Sequence, residues 1–444
     1  MKKRSLAQPA MSNAPAPAPA PVTATVEAMG AQGHGVAHIG AGKHFIPFTL
    51  PGERVRIELH GQRPAAAEIE AASPDRIAPV CKHFGTCGGC ALQHWAEAPY
   101  KDWKQGLVTS ALARAGIEAR IETLRSYPVS SRRRATFTAQ SGGGKIVLGY
   151  NAARTHETID LEECPILLPQ ITLALPHLRS ALRAALPARS EAKISVTAAA
   201  NGLDCAIQGP ALRASANARV IGILGAAGFI RAAWNEEPVL LAAAPLVSFG
   251  SIEVTLPPNA FLQAVEACER DMADWVIGAL SDIKAPAGPI CDLFAGLGAF
   301  TFPAARLAPV TAYEENQSAV ASLAAAAKQA KGLKAVSAIR RDLYRNPLGL
   351  LELNKFARVI IDPPREGAEA QARALASSKT AAVAMLSCNP ASFARDAAIL
   401  AGGGFRLARL AAFDQFRFSA HVEIAALFER PGSKKGGLSS ALKR

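Results

Sequence analysis

From residue 258 to residue 431 the apolar positions gather into short continuous runs, separated by stretches with helical spacing. Runs at 290–294, 310–313, 335–339, 357–361 and 383–386 predict buried strands, and helices are expected to start at Phe261, Phe300, Ser318 and Ser392. Such alternation predicts a mostly parallel sheet wrapped by helices, with ligands bound beyond the carboxyl ends of the strands. Two last apolar runs, 405–413 and 422–428, have no helix between them and predict an antiparallel hairpin.

Upstream the pattern changes. Residues 22–75 alternate short β-prone runs with turns at Gly30, Gly33, Gly35, Gly40, Gly42 and Gly61, which predicts a small five-stranded barrel. In the segment 76–257 a helix is expected over 99–115, closed by Gly116. Runs at 132–138 and 145–150 then flank Gly142-Gly143-Gly144 as a hairpin. That middle segment reads as mainly β; an Ala-rich helix and weaker strands follow between 170 and 249, without a motif. Ala and Pro dominate 9–21, so residues 1–21 are expected to be a disordered leader and residues 432–444 a basic tail.

With 444 residues, half of them hydrophobic, the chain is long enough for several cores. Lys and Arg outnumber Asp and Glu by 49 to 36, and the formal charge of +13 favours a polyanionic partner, hence nucleic acid. Part of that excess sits in the tail at Lys434, Lys435, Lys443 and Arg444. No apolar run is long enough to span a bilayer, and no apolar segment follows Lys2-Lys3-Arg4, so a cytoplasmic protein without a membrane partner is expected, by default a monomer.

The cysteines are unevenly placed. Cys81, Cys87 and Cys90 are clustered, Cys164 is a distant fourth, and Cys205, Cys268, Cys291 and Cys388 stand singly. Four thiolates can hold zinc or an iron-sulfur cluster, and the spacing alone leaves the metal open. Arg132, Arg133 and Arg134 lie in the same segment as candidate phosphate contacts, or else form an ordinary solvated charge run.

The candidate chemistry falls at strand ends. Gly296 and Gly298, in the turn after the 290–294 strand, would let the backbone approach a ligand closely, with helix amides facing it. Glu314 ends the second strand, where a carboxylate can accept from ribose hydroxyls, and Asp342 after the third is placed to meet a base edge. Asp362 precedes Pro363-Pro364, which stop a helix from starting there. Cys388 ends the next strand, immediately before Asn389-Pro390 and a helix whose N-terminus favours thiolate. Glu423 sits inside an apolar strand, where a carboxylate needs a partner or a function, and a buried salt bridge is the competing explanation.

In order along the chain, Phe261-Leu262-Gln263, the 292–300 turn, Asp362-Pro363-Pro364-Arg365, Ser387-Cys388-Asn389-Pro390 and His421-Val422-Glu423 resemble the RNA uracil-C5 methyltransferase family. The cysteine spacing is similar to that of its iron-sulfur-containing 23S ribosomal RNA branch. The resemblance implies an α/β fold: a class I Rossmann-like S-adenosylmethionine-dependent methyltransferase domain over 258–431, an N-terminal TRAM (OB-like) β-barrel over 22–75, and a central mainly β iron-sulfur domain over 76–257. It implies Cys388 as nucleophile and Glu423 as base, with Gln263, Phe294, Ala299, Glu314, Asp342 and Asp362 around S-adenosylmethionine. It implies a [4Fe-4S] cluster on Cys81, Cys87, Cys90 and Cys164, and 23S ribosomal RNA as partner. Ala299 and Val265 depart from the family, which often has Asn at both positions, so any side-chain hydrogen bond from those positions is lost.

Transfer RNA is the alternative substrate for the same chemistry, since the cluster carries the ribosomal assignment. A cytosine-C5 methyltransferase typically has another Cys near the proline motif, which is absent here, and an amino-group methyltransferase needs neither Cys388 nor Glu423. A non-catalytic iron-sulfur RNA-binding protein would explain the N-terminal half and leave those two residues without a reason.

Overall fold

Strand and helix signals of the C-terminal half converge on one sheet. A computed structural model describes residues 21–431 except 61–62, 65–66, 154 and 284–287; the basic tail and the leader up to residue 20 lie outside the described residues. The chain divides into two units, residues 1–76 and 77–444.

In the second unit an eight-stranded sheet runs in the order Val336–Arg340, Val310–Glu314, Ile290–Leu293, Arg358–Ile361, Ala382–Ser387, Glu423–Glu429, Arg406–Asp414, Thr123–Ser126. Every neighbouring pair is parallel except the two made by Glu423–Glu429, which runs antiparallel between Ala382–Ser387 and Arg406–Asp414. The central strands are buried along their length save for Arg358 at the start of one, as an apolar run covered on both faces by helices requires. The covering helices include Glu266–Ser281, Glu369–Ser377 and Pro390–Gly402, and Glu97–Arg114 packs against the last of these. Residues 97–126 thus supply a helix and the eighth strand to this sheet.

A second, six-stranded sheet runs in the order Lys145–Gly149, Arg134–Gly142, Ser190–Ala199, Gly202–Gln208, Phe229–Trp234, Glu237–Leu241. Its core residues, among them Phe137, Ile194 and Trp234, pack on Leu175, Leu178 and Leu182 of the helix Pro169–Ala185.

In the first unit, Val22–Thr25, Arg54–Ile57 and Glu68–Ala71 form one three-stranded antiparallel sheet, and Ala28–Met29, Gly35–Ile39 and Gly42–Ile46 form another. Ala24, Val26, Ala37, Ile46, Val55 and Ile57 make a single small core. Among the described residues no helix is long and apolar enough to cross a membrane.

One expected helix start is displaced. Helix begins at Glu266 instead of Phe261. The reason lies in the carbonyls of Leu262, Gln263 and Ala264: they accept from Arg134 Nη1, Arg133 Nε and the Arg133 amide at 2.6, 3.0 and 2.8 Å, so the backbone is held out of helix by lateral partners.

Candidate active site

The glycine turn after Ile290–Leu293 is built from strained backbone. Phe294 takes φ of 63° and Gly298 takes 98°, and a Cβ on Gly298 would lie 2.6 Å from the Phe302 ring, so only glycine fits. Glu314 braces the turn from the adjacent strand end: its carboxylate accepts from Gly296 N at 2.9 Å and from Asn316 N at 2.8 Å. Asp342 accepts from the amides of Tyr344 and Arg345, both at 3.0 Å, and the Tyr344 ring lies 5.5 Å from that of Phe294. Ala299 is partly buried between two clusters of core residues and offers no polar group. The predicted positions Phe294, Ala299, Glu314 and Asp342 therefore lie at or just beyond the carboxyl ends of three neighbouring strands.

Sheet register brings the reactive groups together. Ser387 pairs with Ile424, so Cys388 and Glu423 are the next residues out on adjacent antiparallel strands, and Ile361 pairs with Met385, so Asp362 emerges one strand away on the same edge. The three are electrostatically coupled. Burial raises the Cys388 thiol to about 11, assisted by the charges of Glu423 and Asp362 and opposed by Arg365. Burial likewise lifts Glu423 to about 7, opposed by a hydrogen bond from Gln415 and by Lys104. Asp362 is held well above the usual carboxylate range by burial first, then by Glu423, Asp292 and Glu269. Burial and mutual repulsion thus shift all three groups toward their protonated forms.

Beneath the turn Asp292 is fully buried and raised to about 7 by that burial. Thr301 Oγ1 donates to its Oδ2, while Oδ1 has no partner among the described residues.

Several supporting residues were not anticipated. Gln415 is buried and donates through Nε2 to Gln263 Oε1 at 2.6 Å and to Glu423 Oε1 at 2.8 Å. Lys104, without solvent exposure, donates to the Asp414 carboxylate and to the carbonyls of Phe416 and His421. Tyr100 donates its hydroxyl to Asp414 at 2.8 Å and accepts from Phe418 N at 3.0 Å. Together these pin the 415–422 turn that leads into Glu423. The visible signal was a pair of polar residues, Asp414-Gln415, directly after an apolar strand.

The arginine run divides. Arg133 is buried, ion-paired with Glu269 at 2.8 Å and bonded to Gln263 O, so it is not open to phosphate and its expected RNA contact is withdrawn. Arg132 lies over the Phe416 ring and lines a small pocket together with Tyr127, Gln415 and Arg417. Arg134 lies over the exposed Phe261 ring.

Cys81, Cys87, Cys90 and Cys164 line a second small pocket beside Tyr150 and Phe84. Burial raises Cys90 to about 11 and Cys164 to about 12, and each feels the charge of the other cysteines. Among the described residues no three His, Cys, Asp or Glu side chains are gathered tightly enough to hold a metal ion.

A family model described as tRNA (Uracil-5-)-methyltransferase matches residues 250–431. An RNA methyltransferase of Caulobacter vibrioides is 42% identical over 415 residues, covering 91% of this chain and 99% of that protein. The 23S rRNA (uracil(1939)-C(5))-methyltransferase RlmD of Halomonas elongata is 32% identical over 458 residues, covering 97% and 94%. Among solved structures, the tRNA (uracil-54, C5)-methyltransferase of Pyrococcus abyssi in complex with S-adenosyl-L-homocysteine superposes with a TM-score of 0.71 at 19% identity, covering 91% of this chain and 99% of that one. At that identity the likeness is one of fold.

Proposed function

The chain belongs to the RNA uracil-5 methyltransferase family, and from that premise we propose that it methylates C5 of one uridine in 23S ribosomal RNA. The observation that carries the reading is the Ser387–Ile424 pairing, which puts Cys388 and Glu423 one residue further out on neighbouring chains, with Asp362 one strand away at the carboxyl edge of the parallel strands. The 32% identity to a 23S ribosomal RNA enzyme across nearly the whole chain supports the ribosomal substrate.

C5 of uracil is too weakly nucleophilic to attack a methyl sulfonium unaided. Cys388 first gives up its thiol proton to solvent; the thiolate Sγ then adds to C6, and the C5=C6 electron pair moves onto the ring as an enolate. S-adenosylmethionine supplies an electrophilic methyl group, to which C5 bonds as the sulfur–methyl bond breaks. Glu423 then takes the C5 proton; the C–H electron pair re-forms C5=C6, and the C6–S bond breaks to release Cys388 as thiolate. A base poised near 7 suits this last step at neutral pH. Asp362, one strand away on the same edge, is placed to orient the uracil. Because C6 is shielded in a stack, the target uridine enters the site flipped out of its strand.

Gln263, Phe294, Glu314, Asp342 and Asp362, with the backbone at Ala299, are the residues assigned to the methyl donor. Arg132 and Arg134 are assigned to phosphate. Cys81, Cys87, Cys90 and Cys164 line one pocket and are assigned to a [4Fe-4S] cluster; four thiolates could also hold zinc, and the likeness of their spacing to the iron-sulfur branch favours the cluster. Since methyl transfer moves no net electrons, the cluster's part is structural. The small sheets of 22–71 are read as a TRAM-like RNA-binding module, and the protein as cytoplasmic.

The test is mass spectrometry of 23S and transfer RNA from a strain lacking the gene. One 5-methyluridine should vanish from 23S RNA and return with the wild-type gene but not with Cys388→Ala. Loss from transfer RNA alone would move the substrate.

A further inference from the structure

Gln415 stands at the junction of two groups that the proposed reaction uses separately. Its side-chain orientation is fixed by one obligatory donor: the Val265 amide, 3.2 Å away, can only give a hydrogen bond, so Gln415 Oε1 must accept it. Nε2 therefore faces the other way, and its two hydrogens meet two acceptors, Gln263 Oε1 and Glu423 Oε1. Two consequences follow. Glu423 is tethered at Oε1, and Gln415 does not engage its Oε2. Gln263, used as an acceptor through Oε1, has its own NH₂ left for a ligand.

We propose that Gln415 is a positioning residue for the C5 proton-removal step: its amide holds Glu423 in place through one oxygen and ties it to Gln263 in the methyl-donor site. The inference rests on the methylation reading. Departure of the methyl group and arrival of the C5 proton thus occur at two side chains that share one amide, itself locked to the backbone of Val265.

Other charges face Glu423 from every side. Lys104 approaches from the helix Glu97–Arg114 with Asp414 behind it, Cys268 from Glu266–Ser281, and Asp362 and Cys388 from the neighbouring strand ends. Of these only Lys104 favours the carboxylate, and Gln415 gives it its direct hydrogen bond. Removing that bond disfavours the carboxylate, so the acid limb of proton removal moves to higher pH.

The experiment uses the full-length protein, unmodified 23S RNA from a deletion strain labelled with tritium at uridine C5, and S-adenosylmethionine labelled in the methyl group. Methyl incorporation, tritium release and the Cys388–RNA adduct are followed separately across pH. In Gln415→Met, which keeps length and loses the donor, the acid limb of tritium release should rise by about one pH unit, and because Glu423 starts at about 7, release at pH 7 should slow about fivefold. Methyl-bearing adduct should accumulate at pH 7 and clear at pH 9. Gln415→Glu, which places a second acid against Glu423, should move the limb at least as far and serves if the Met variant does not fold.

A uniform loss of rate with the limb unmoved, in either folded variant, would assign Gln415 a structural role and overturn the proposal. Absence of methyl incorporation by the wild-type protein would instead overturn the methylation reading, so the two failures are distinguishable.

Discussion

Replacing Glu423 with Gln should make the free protein more stable at alkaline pH while stopping its turnover. Burial raises this carboxyl from 4.5 to about 7, a difference that corresponds to about 3 kcal/mol. For a raised folded-state value the favourable contribution belongs to the protonated form. It is complete below about 4.5 and is lost as pH rises through about 7. At pH 8 the wild-type protein therefore carries a buried charge at nearly the full cost, and at pH 4.5 it carries none. Glutamine keeps the shape and still accepts from Gln415 Nε2 through its oxygen. Its own NH₂ lacks an evident partner, which returns about 1–2 kcal/mol of the gain. The variant should thus exceed wild type by about 1–2 kcal/mol at pH 8, with the gap closing or reversing toward pH 5. Urea denaturation of both proteins at pH 5 and pH 8 measures it. A gap that does not change with pH would refute a buried, shifted Glu423. The same variant should stall with methylated RNA attached through Cys388, seen as a denaturation-resistant complex on a gel.

Other consequences are more direct. Cys388→Ala should abolish methyl transfer while calorimetry still detects S-adenosylmethionine binding; full activity would exclude the nucleophile. Lys104→Met strands the Asp414 carboxylate in an environment with no solvent exposure, so urea denaturation should show a loss of about 3–5 kcal/mol. Gly298→Ala meets the Phe302 ring and a φ of 98°, and calorimetry should show weakened S-adenosylmethionine binding along with lower thermal stability. Cys90→Ser should cost iron, measured by absorbance and metal analysis of protein purified without oxygen; zinc in place of iron would refute the cluster assignment.

Much of the site was legible because each catalytic candidate breaks a local rule. Asp362 ends an apolar strand before two prolines, Cys388 precedes Asn389-Pro390, and Glu423 interrupts an apolar strand. These are short-range signals, and the strand periodicity that placed them is short-range too. The partners were not legible because their meaning is long-range. Lys104 sits in a helix beside Lys101 and looks like one more solvated cation, yet its carboxylate lies 310 residues away. Gln415 follows a strand as any turn residue might; only the fold sets it between Gln263 and Glu423.

Arg133 shows why the run 132–134 misleads. Three adjacent basic residues read as one surface patch, but successive residues of extended chain face opposite ways. The middle residue turns inward, and its guanidinium binds Glu269 and the carbonyl of Gln263. Arg134 claims the carbonyl of Leu262, and the Val265 amide goes to Gln415. Two arginines and one glutamine thereby keep 262–265 out of helix where the sequence pattern favours it. That conformation presents the Gln263 side chain to Gln415, which in turn holds Glu423. The charge run that looked like an RNA contact therefore acts, at its buried member, on the backbone that carries the proposed methyl-donor residue.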